Sequence, residues 1–198
     1  MATDGKSRII QAAKCVISQS GIAGATIRGI AQEAGLSTGA IYHYYSSKEE
    51  ILYDVMDESF SETLRIAEKS KGLKNSREEI IEEIYEHIVK RFEKNDENRI
   101  ELYLAKEAIM GNSELREKFK AKYQEWVCKA EELIQYLYGK SPTKYDKALV
   151  SIVLASIEGV VMQILLCANP AELKDILKVY KKILKDGIPK FLDLLADI

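Results

Sequence analysis

Cysteine, proline and histidine are scarce in this 198-residue chain. The three cysteines, Cys15, Cys128 and Cys167, are odd in number, far apart and outside any C-x-x-C spacing. That argues against a disulfide framework or a zinc site and for a reducing compartment, the cytoplasm by default. Three prolines and eleven glycines are too few breaks for an all-β chain with a turn every ten residues or so, and they favour long helices. The only histidines, His43 and His87, form no H-E-x-x-H motif and have no neighbouring cysteine pair, so no metal is expected. His87 reads as a surface or pocket-edge side chain. There is no excess of basic charge either: 29 Lys and Arg against 31 Asp and Glu leave a formal net charge of −2. A polybasic nucleic-acid binder is excluded, a locally basic face is not. The polar start, Met1 to Arg8, has no apolar segment of a secretory signal.

What is present is helical periodicity. Apolar residues recur at three- and four-residue spacing in Ile9, Ile10, Ala13, Val16 and Ile17, and again in Ile80, Ile81, Ile84, Ile88 and Phe92. Two further runs are Leu115, Phe119, Tyr123, Trp126, Ala130, Leu133 and Leu137, then Leu173, Ile176, Tyr180, Ile183 and Leu184. Each predicts an amphipathic helix. Ser47 with Glu50 and Ser76 with Glu79 have the spacing of capping boxes, and Ser141-Pro142 and Asn169-Pro170 read as a cap followed by a first-turn proline. Polar connectors are expected at Lys71–Asn75, Asn95–Asn98, Gly111-Asn112 and Gly139-Lys140. The chain is expected to be all-α, with about nine helices. Ala148 to Ala168 is apolar enough to cross a bilayer, but Glu158 and Gln163 interrupt it, and it is read as a helix buried on both sides with no membrane partner.

Residues 26 to 45 carry the most information. Thr26 can cap a helix whose inner side is Ile27, Ile30, Ala31 and Ala34, and Gly35 supplies the positive φ that ends it. Ser37 then caps a second short helix with Ile41 inward and Thr38, Gly39, Tyr42 and His43 outward. Ala31, Gly35 and Ile41 have the offsets of a helix-turn-helix. Small, hydroxyl, phenol and imidazole groups on the outer face suit a DNA groove, and an anionic oxygen is favoured at Ser37. Up to Lys48 there are five basic residues, Lys6, Arg8, Lys14, Arg28 and Lys48, against Asp4 and Glu33, a bias of the sign phosphate binding requires.

The run Gly35 to Tyr45, followed by Ser47-Lys48-Glu49-Glu50-Ile51-Leu52, resembles the DNA-binding signature of the TetR family of bacterial transcriptional regulators over about residues 6 to 55. The resemblance implies an N-terminal three-helix domain with a helix-turn-helix (1–48) and a larger helical effector-binding and dimerisation domain (49–198). It also implies repression relieved by a small molecule. Carried over, Thr26, Tyr42 and Lys48 resemble phosphate-contacting residues, and Arg28, Thr38, Gly39, Ala40 and His43 stand at positions that read or approach bases. Tyr45 replaces a more usual Phe, expected to matter only for packing. A helix from Ser47 to about Ser70 is expected to connect the domains.

Gly35-Leu36-Ser37-Thr38-Gly39 also fits G-x-S-x-G, but that elbow needs a preceding strand and a parallel sheet, neither of which is predicted. No catalytic set or cofactor is expected. In the second domain Tyr85, Tyr103, Tyr123 and Trp126 are candidate effector contacts, with an apolar or aromatic compound preferred because no carboxylate or Arg cluster announces a charged one. The apolar helix from about Lys144 to Cys167, with Ile152, Ala155, Ser156, Gly159 and Gln163, and the stripe with Ile176, Tyr180 and Ile183 predict a four-helix bundle across a twofold axis of a homodimer. The expected function is a ligand-responsive regulator bound to a palindromic operator. The competing reading is a small helical lipid- or ligand-binding protein, or an enzyme, whose helix-turn-helix is incidental.

Overall fold

The computed structural model describes residues 2–58 and 76–196, with side chains from residue 5. The expected connector at 71–75 and the far part of the helix expected to run to Ser70 lie outside the described residues. Every regular element among the described residues is helical: α1 (Ala2–Gly24), α2 (Ile27–Glu33), α3 (Thr38–Tyr42), α4 (48–58), α5 (Arg77–Glu93), α6 (Asn95–Ile109), α7 (Ser113–Tyr138), α8 (Asp146–Leu165), α9 (Leu173–Lys182) and α10 (Ile188–Ala196). The all-α expectation holds. A π-helical turn, Ile183–Gly187, joins α9 to α10.

The described residues pack as two units: 2–58 with 95–117, and 76–94 with 118–196. The functional boundary expected at 48/49 therefore falls inside a packing unit. The reason lies in α4, whose Ile51, Leu52, Val55 and Met56 are fully buried, as are Ile100 and Leu104 of α6. Ile9, Ala13, Ile30 and Ile41 of the first three helices are buried in the same unit. Side chains of this size gain about 1.5–3 kcal/mol each on burial.

The second unit buries Ile81, Ile88 and Phe92 of α5, Ile134 of α7, Val150 and Val161 of α8, and Tyr180, Leu184, Ile188 and Leu192 of the α9–α10 rod. In that rod the inward row Ile176, Tyr180, Leu184, Ile188, Leu192 repeats every four residues. An α-helix turns once in 3.6 residues, so such a row would wind about 40° around the axis at each step. The wider π turn takes up that drift. Its carbonyls find outside donors: the Tyr138 hydroxyl bonds Leu184 O, and Arg77 Nη2 bonds Lys185 O at 3.4 Å. Burial lifts the Tyr138 hydroxyl to about 12, against a smaller opposing pull from Arg77.

Helix starts follow the expected caps only in part. Ser76 and Glu79 form the full reciprocal box. At α4 the box is shifted: Ser47 Oγ accepts from Glu50 N, but the Glu50 carboxylate accepts from the N–H of Ser46. Pro142 and Pro170 do not open helices. Asp146 accepts from both the backbone and the hydroxyl of Thr143, and α8 begins there. Asn169 Oδ1 accepts from Ala171 N, so an Asx turn holds Pro170 outside α9. The expected connector Asn95–Asn98 is instead the first turn of α6, with Lys94 the single linking residue.

α8 is not buried on both sides. It is long and apolar enough to cross a membrane by length and composition, yet only 17% of its apolar window is buried within the chain. Ala148, Ile152, Ala155, Gly159, Met162 and Leu166 follow one another at alternating four- and three-residue steps along its open side.

Candidate nucleic-acid interface

The interface is built from two short helices and the turn between them. Thr26 Oγ1 accepts from Gly29 N at 3.1 Å and starts α2, a cap that contributes about 1 kcal/mol. Gly35, at φ 63°, ends it: Leu36 N bonds Ala31 O and Gly35 N bonds Gln32 O, the two crossed bonds of a Schellman turn. Arg8 on α1 adds an outside brace, its Nη2 donating to Ala34 O at 2.7 Å. Ser37 Oγ accepts from Ala40 N and starts α3. Ser37 is thus a helix cap preceded by a helix, which is not the geometry of a nucleophile elbow.

This frame turns Ile41 fully inward and leaves the opposite side of α3 in solvent. Thr38, Gly39 and His43 are exposed, Tyr42 is 57% exposed, and Ala40 is half-buried. Ser37, Thr26 and Arg28 are exposed beside them. Lys48, at the start of α4, is half-buried, and its Nζ donates to Ile22 O at 3.0 Å and lies 5.7 Å from the centre of the Tyr103 ring.

Charge in this unit is less one-sided than the first 48 residues suggest. Lys14 pairs with Glu58 at 2.8 Å and Lys6 with Asp54 at 3.6 Å, both acids on α4. Between 49 and 58 stand Glu49, Glu50, Asp54, Asp57 and Glu58, with no base among them. Arg28 is exposed on α2, and the Lys48 ammonium stands between Ile22 O of α1 and the Tyr103 ring of α6.

Tyr45 does more than pack. Its hydroxyl donates to Asp54 Oδ2 at 2.9 Å, and Lys6 Nζ lies 5.1 Å from its ring centre. Burial first, then the bonded Asp54 carboxylate, raise the pKa of that hydroxyl well above the usual tyrosine range, so it keeps its proton. The substitution of a phenol for a phenyl group was the sequence signal, and Asp54, nine residues on, is its partner.

The four aromatic residues expected to line an effector site are not brought into one cluster. Tyr103 belongs to the first unit, beside Lys48, and burial, then Glu49, raise its hydroxyl. Tyr85 lies under the Lys181 ammonium, 4.8 Å from its ring centre. Tyr123 and Trp126 do meet, edge to face at 5.4 Å. The Tyr123 hydroxyl donates to Glu158 Oε1 at 2.5 Å, so Glu158 turns toward α7. Burial raises the Glu158 carboxyl above its usual range, while the Tyr123 bond and the nearby Arg91 charge pull it back.

Of the expected interface residues, Ile152, Ala155, Ser156 and Gln163 are exposed on α8, and Gly159 has open space where a Cβ would stand. Ile176 and Ile183 are half-buried. Tyr180 is only 5% exposed, its ring 5.7 Å from Phe92 and its hydroxyl 3.1 Å from that of Ser156, so its surface is spent within its own chain.

Two short helices with Ala31 and Ile41 buried, a left-handed glycine between them and a polar face outward, define a helix-turn-helix protein. Residues 9–55 match the family of bacterial regulatory proteins, tetR family. The chain is similar to the HTH-type transcriptional regulator PksA of Bacillus subtilis, 47% identical over 47 residues, which are 24% of this chain and 23% of that protein. The chain spans about a quarter to a third of the length of the curated relatives it matches. Among solved structures, a TetR transcription regulator from Haloarcula marismortui superposes with a TM-score of 0.69 at 16% identity, covering 98% of both chains. The regulator FadR of Bacillus subtilis in complex with stearoyl-CoA gives 0.68 at 22% identity, covering 91% of this chain and 98% of that one. At these identities the likeness is one of fold, and it extends over both units.

Proposed function

We infer that the chain is a homodimeric, ligand-responsive transcriptional regulator of the cytoplasm, a repressor that leaves a palindromic operator when a small molecule binds. The observation that carries this reading is the outward face of α3, held by caps at both ends of the turn and free of any covering side chain from Thr38 to His43 except at Ala40. Thr38, Gly39, Ala40 and His43, with Arg28, are the base-facing set. Thr26, Ser37, Tyr42 and Lys48 are the phosphate-facing set. An ammonium has three protons, so Lys48 can bond Ile22 O and a phosphate together.

The row on α8 has the four-three spacing by which helices pack side by side, and it supports a twofold interface with the α9 stripe, where Val179 is also exposed. Residues 49–198 then supply effector binding and dimerisation. The effector contacts are Tyr123 and Trp126, which meet in the second unit, with Tyr85 of the same unit and without Tyr103, which belongs to the first; an apolar body such as an acyl chain suits them, as stearoyl-CoA is bound by the similar FadR. Such an effector acts by binding best the conformation that DNA does not, a coupling of about 1–3 kcal/mol.

The test is a gel shift with the DNA upstream of the protein's own gene, repeated with added stearoyl-CoA. A shifted band at nanomolar dimer, lost on adding the ligand, is expected. No binding to that DNA, or to any duplex enriched from a random library, refutes the reading.

A further inference from the structure

The chain first leaves the amino-terminal unit by way of α4 and re-enters it at α6. Apolar packing of Ile51, Leu52, Val55 and Met56 holds α4 against the unit, but such packing is non-directional and fixes rotation and tilt weakly. Direction comes from Asp54. Its carboxylate accepts the Tyr45 hydroxyl at 2.9 Å and pairs with Lys6 at 3.6 Å, and Lys6 also sits over the Tyr45 ring, so each of the three groups touches the other two. Tyr45 is a rigid extension of α3: it is 4% exposed, and its N–H bonds Ile41 O at 3.0 Å. The triad therefore links the end of the DNA-facing helix, α1 and the middle of α4 through one charge-assisted contact.

We propose that Tyr45 and Asp54, with Lys6, are positioning residues that fix the angle between α3 and α4, and through it the half-site spacing that the dimer accepts. The proposal rests on the operator-binding reading above. The eleven described residues of α4 span about 16 Å at 1.5 Å per residue, so a tilt of about 12° over that stretch alone displaces Glu58 by about 3.4 Å, one base-pair step. A small loosening at Asp54 is therefore visible as a whole step in the DNA. The face that reads bases is untouched, because neither Tyr45 nor Asp54 belongs to it.

The experiment uses the full chain with Tyr45→Phe, Asp54→Ala and the double substitution, each selecting from a library of random duplexes. The wild-type chain should enrich one half-site sequence at one spacing. The variants should enrich the same half-site letters at two or more spacings and bind the wild-type duplex about 3- to 30-fold more weakly. The double variant should be no worse than Asp54→Ala, as expected of residues acting through one contact. Ser76→Ala, which weakens a helix cap outside this unit, is the stability control and should leave the spacing alone. A single unchanged spacing and unchanged affinity in the Tyr45 and Asp54 variants overturns the proposal by itself, as does broadened spacing in Ser76→Ala. Failure of the wild-type chain to enrich any duplex overturns the operator reading, and this proposal with it.

Discussion

Replacing Ile152 by Asp tests the twofold interface where a single chain has nothing to lose. Ile152 is 67% exposed on the open side of α8. Full burial of an isoleucine contributes about 1.5–3 kcal/mol, so covering the remaining two thirds of this one contributes about 1–2 kcal/mol per protomer. A symmetric interface counts each residue twice, giving about 2–4 kcal/mol for the dimer, or roughly 30- to 1000-fold in its dissociation constant. Desolvating two carboxylates at the interface would add to that. Sedimentation equilibrium across a dilution series reads the constant directly, and thermal melting of dilute protein checks the fold, since an exposed substitution changes it by about 0.5 kcal/mol or less. Gly159→Leu is the companion: its side chain enters open space in one chain but would occupy the room a partner backbone needs. Dissociation constants within about threefold of wild type for both variants would refute the assignment of this face.

Three other outcomes are expected. Gly35→Ala forces a Cβ into the left-handed region at φ 63° and should lower stability by about 1–2 kcal/mol, read by urea unfolding; an unchanged midpoint would mean that the turn is not as described. Ser76→Ala removes the donor-satisfying half of the α5 capping box and should cost about 0.5–2 kcal/mol, seen as a drop in Tm. Glu158 has a carboxyl raised above its ordinary 4.5, so the folded state holds its proton more tightly than the unfolded state does. Stability relative to Glu158→Gln should therefore be greatest below about pH 4.5 and fall as pH rises through the raised value. A stability difference that is flat from pH 4 to 8 would contradict this.

Helix positions were legible in the sequence because burial imposes a 3.6-residue rhythm, and Ile9, Ala13, Ile30, Ile41, Ile80 and Ile88 are buried where that rhythm puts them. The turn between α2 and α3 was legible for a stronger reason: a cap, a left-handed glycine and a second cap leave the backbone one route. Two helix starts were misjudged at Pro142 and Pro170, because Thr143 with Asp146 and Asn169 with Ala171 offer local bonds that compete with another helical turn. Ionic pairing was not legible. Lys6 and Lys14 count toward a basic face in sequence, and only folding reveals that Asp54 and Glu58, one turn apart on α4, stand against them. The same blindness made Tyr45 look like a packing variant. The exposure of α8 was missed because an apolar helix reads alike whether its own chain or a second one covers it.

The wide turn at Ile183–Gly187 makes the packing of the carboxy-terminal rod indifferent to the loss of one residue. Excising a residue there would let the segment close into ordinary α geometry with Tyr180, Leu184 and the side chains now numbered Ile188 and Leu192 still aimed at the same neighbours. What disappears is the pair of splayed carbonyls on which Tyr138 and Arg77 are moored. Deletion at this point is thus neutral for the hydrophobic interior and decisive for two anchorages, the reverse of what a deletion does inside a regular helix.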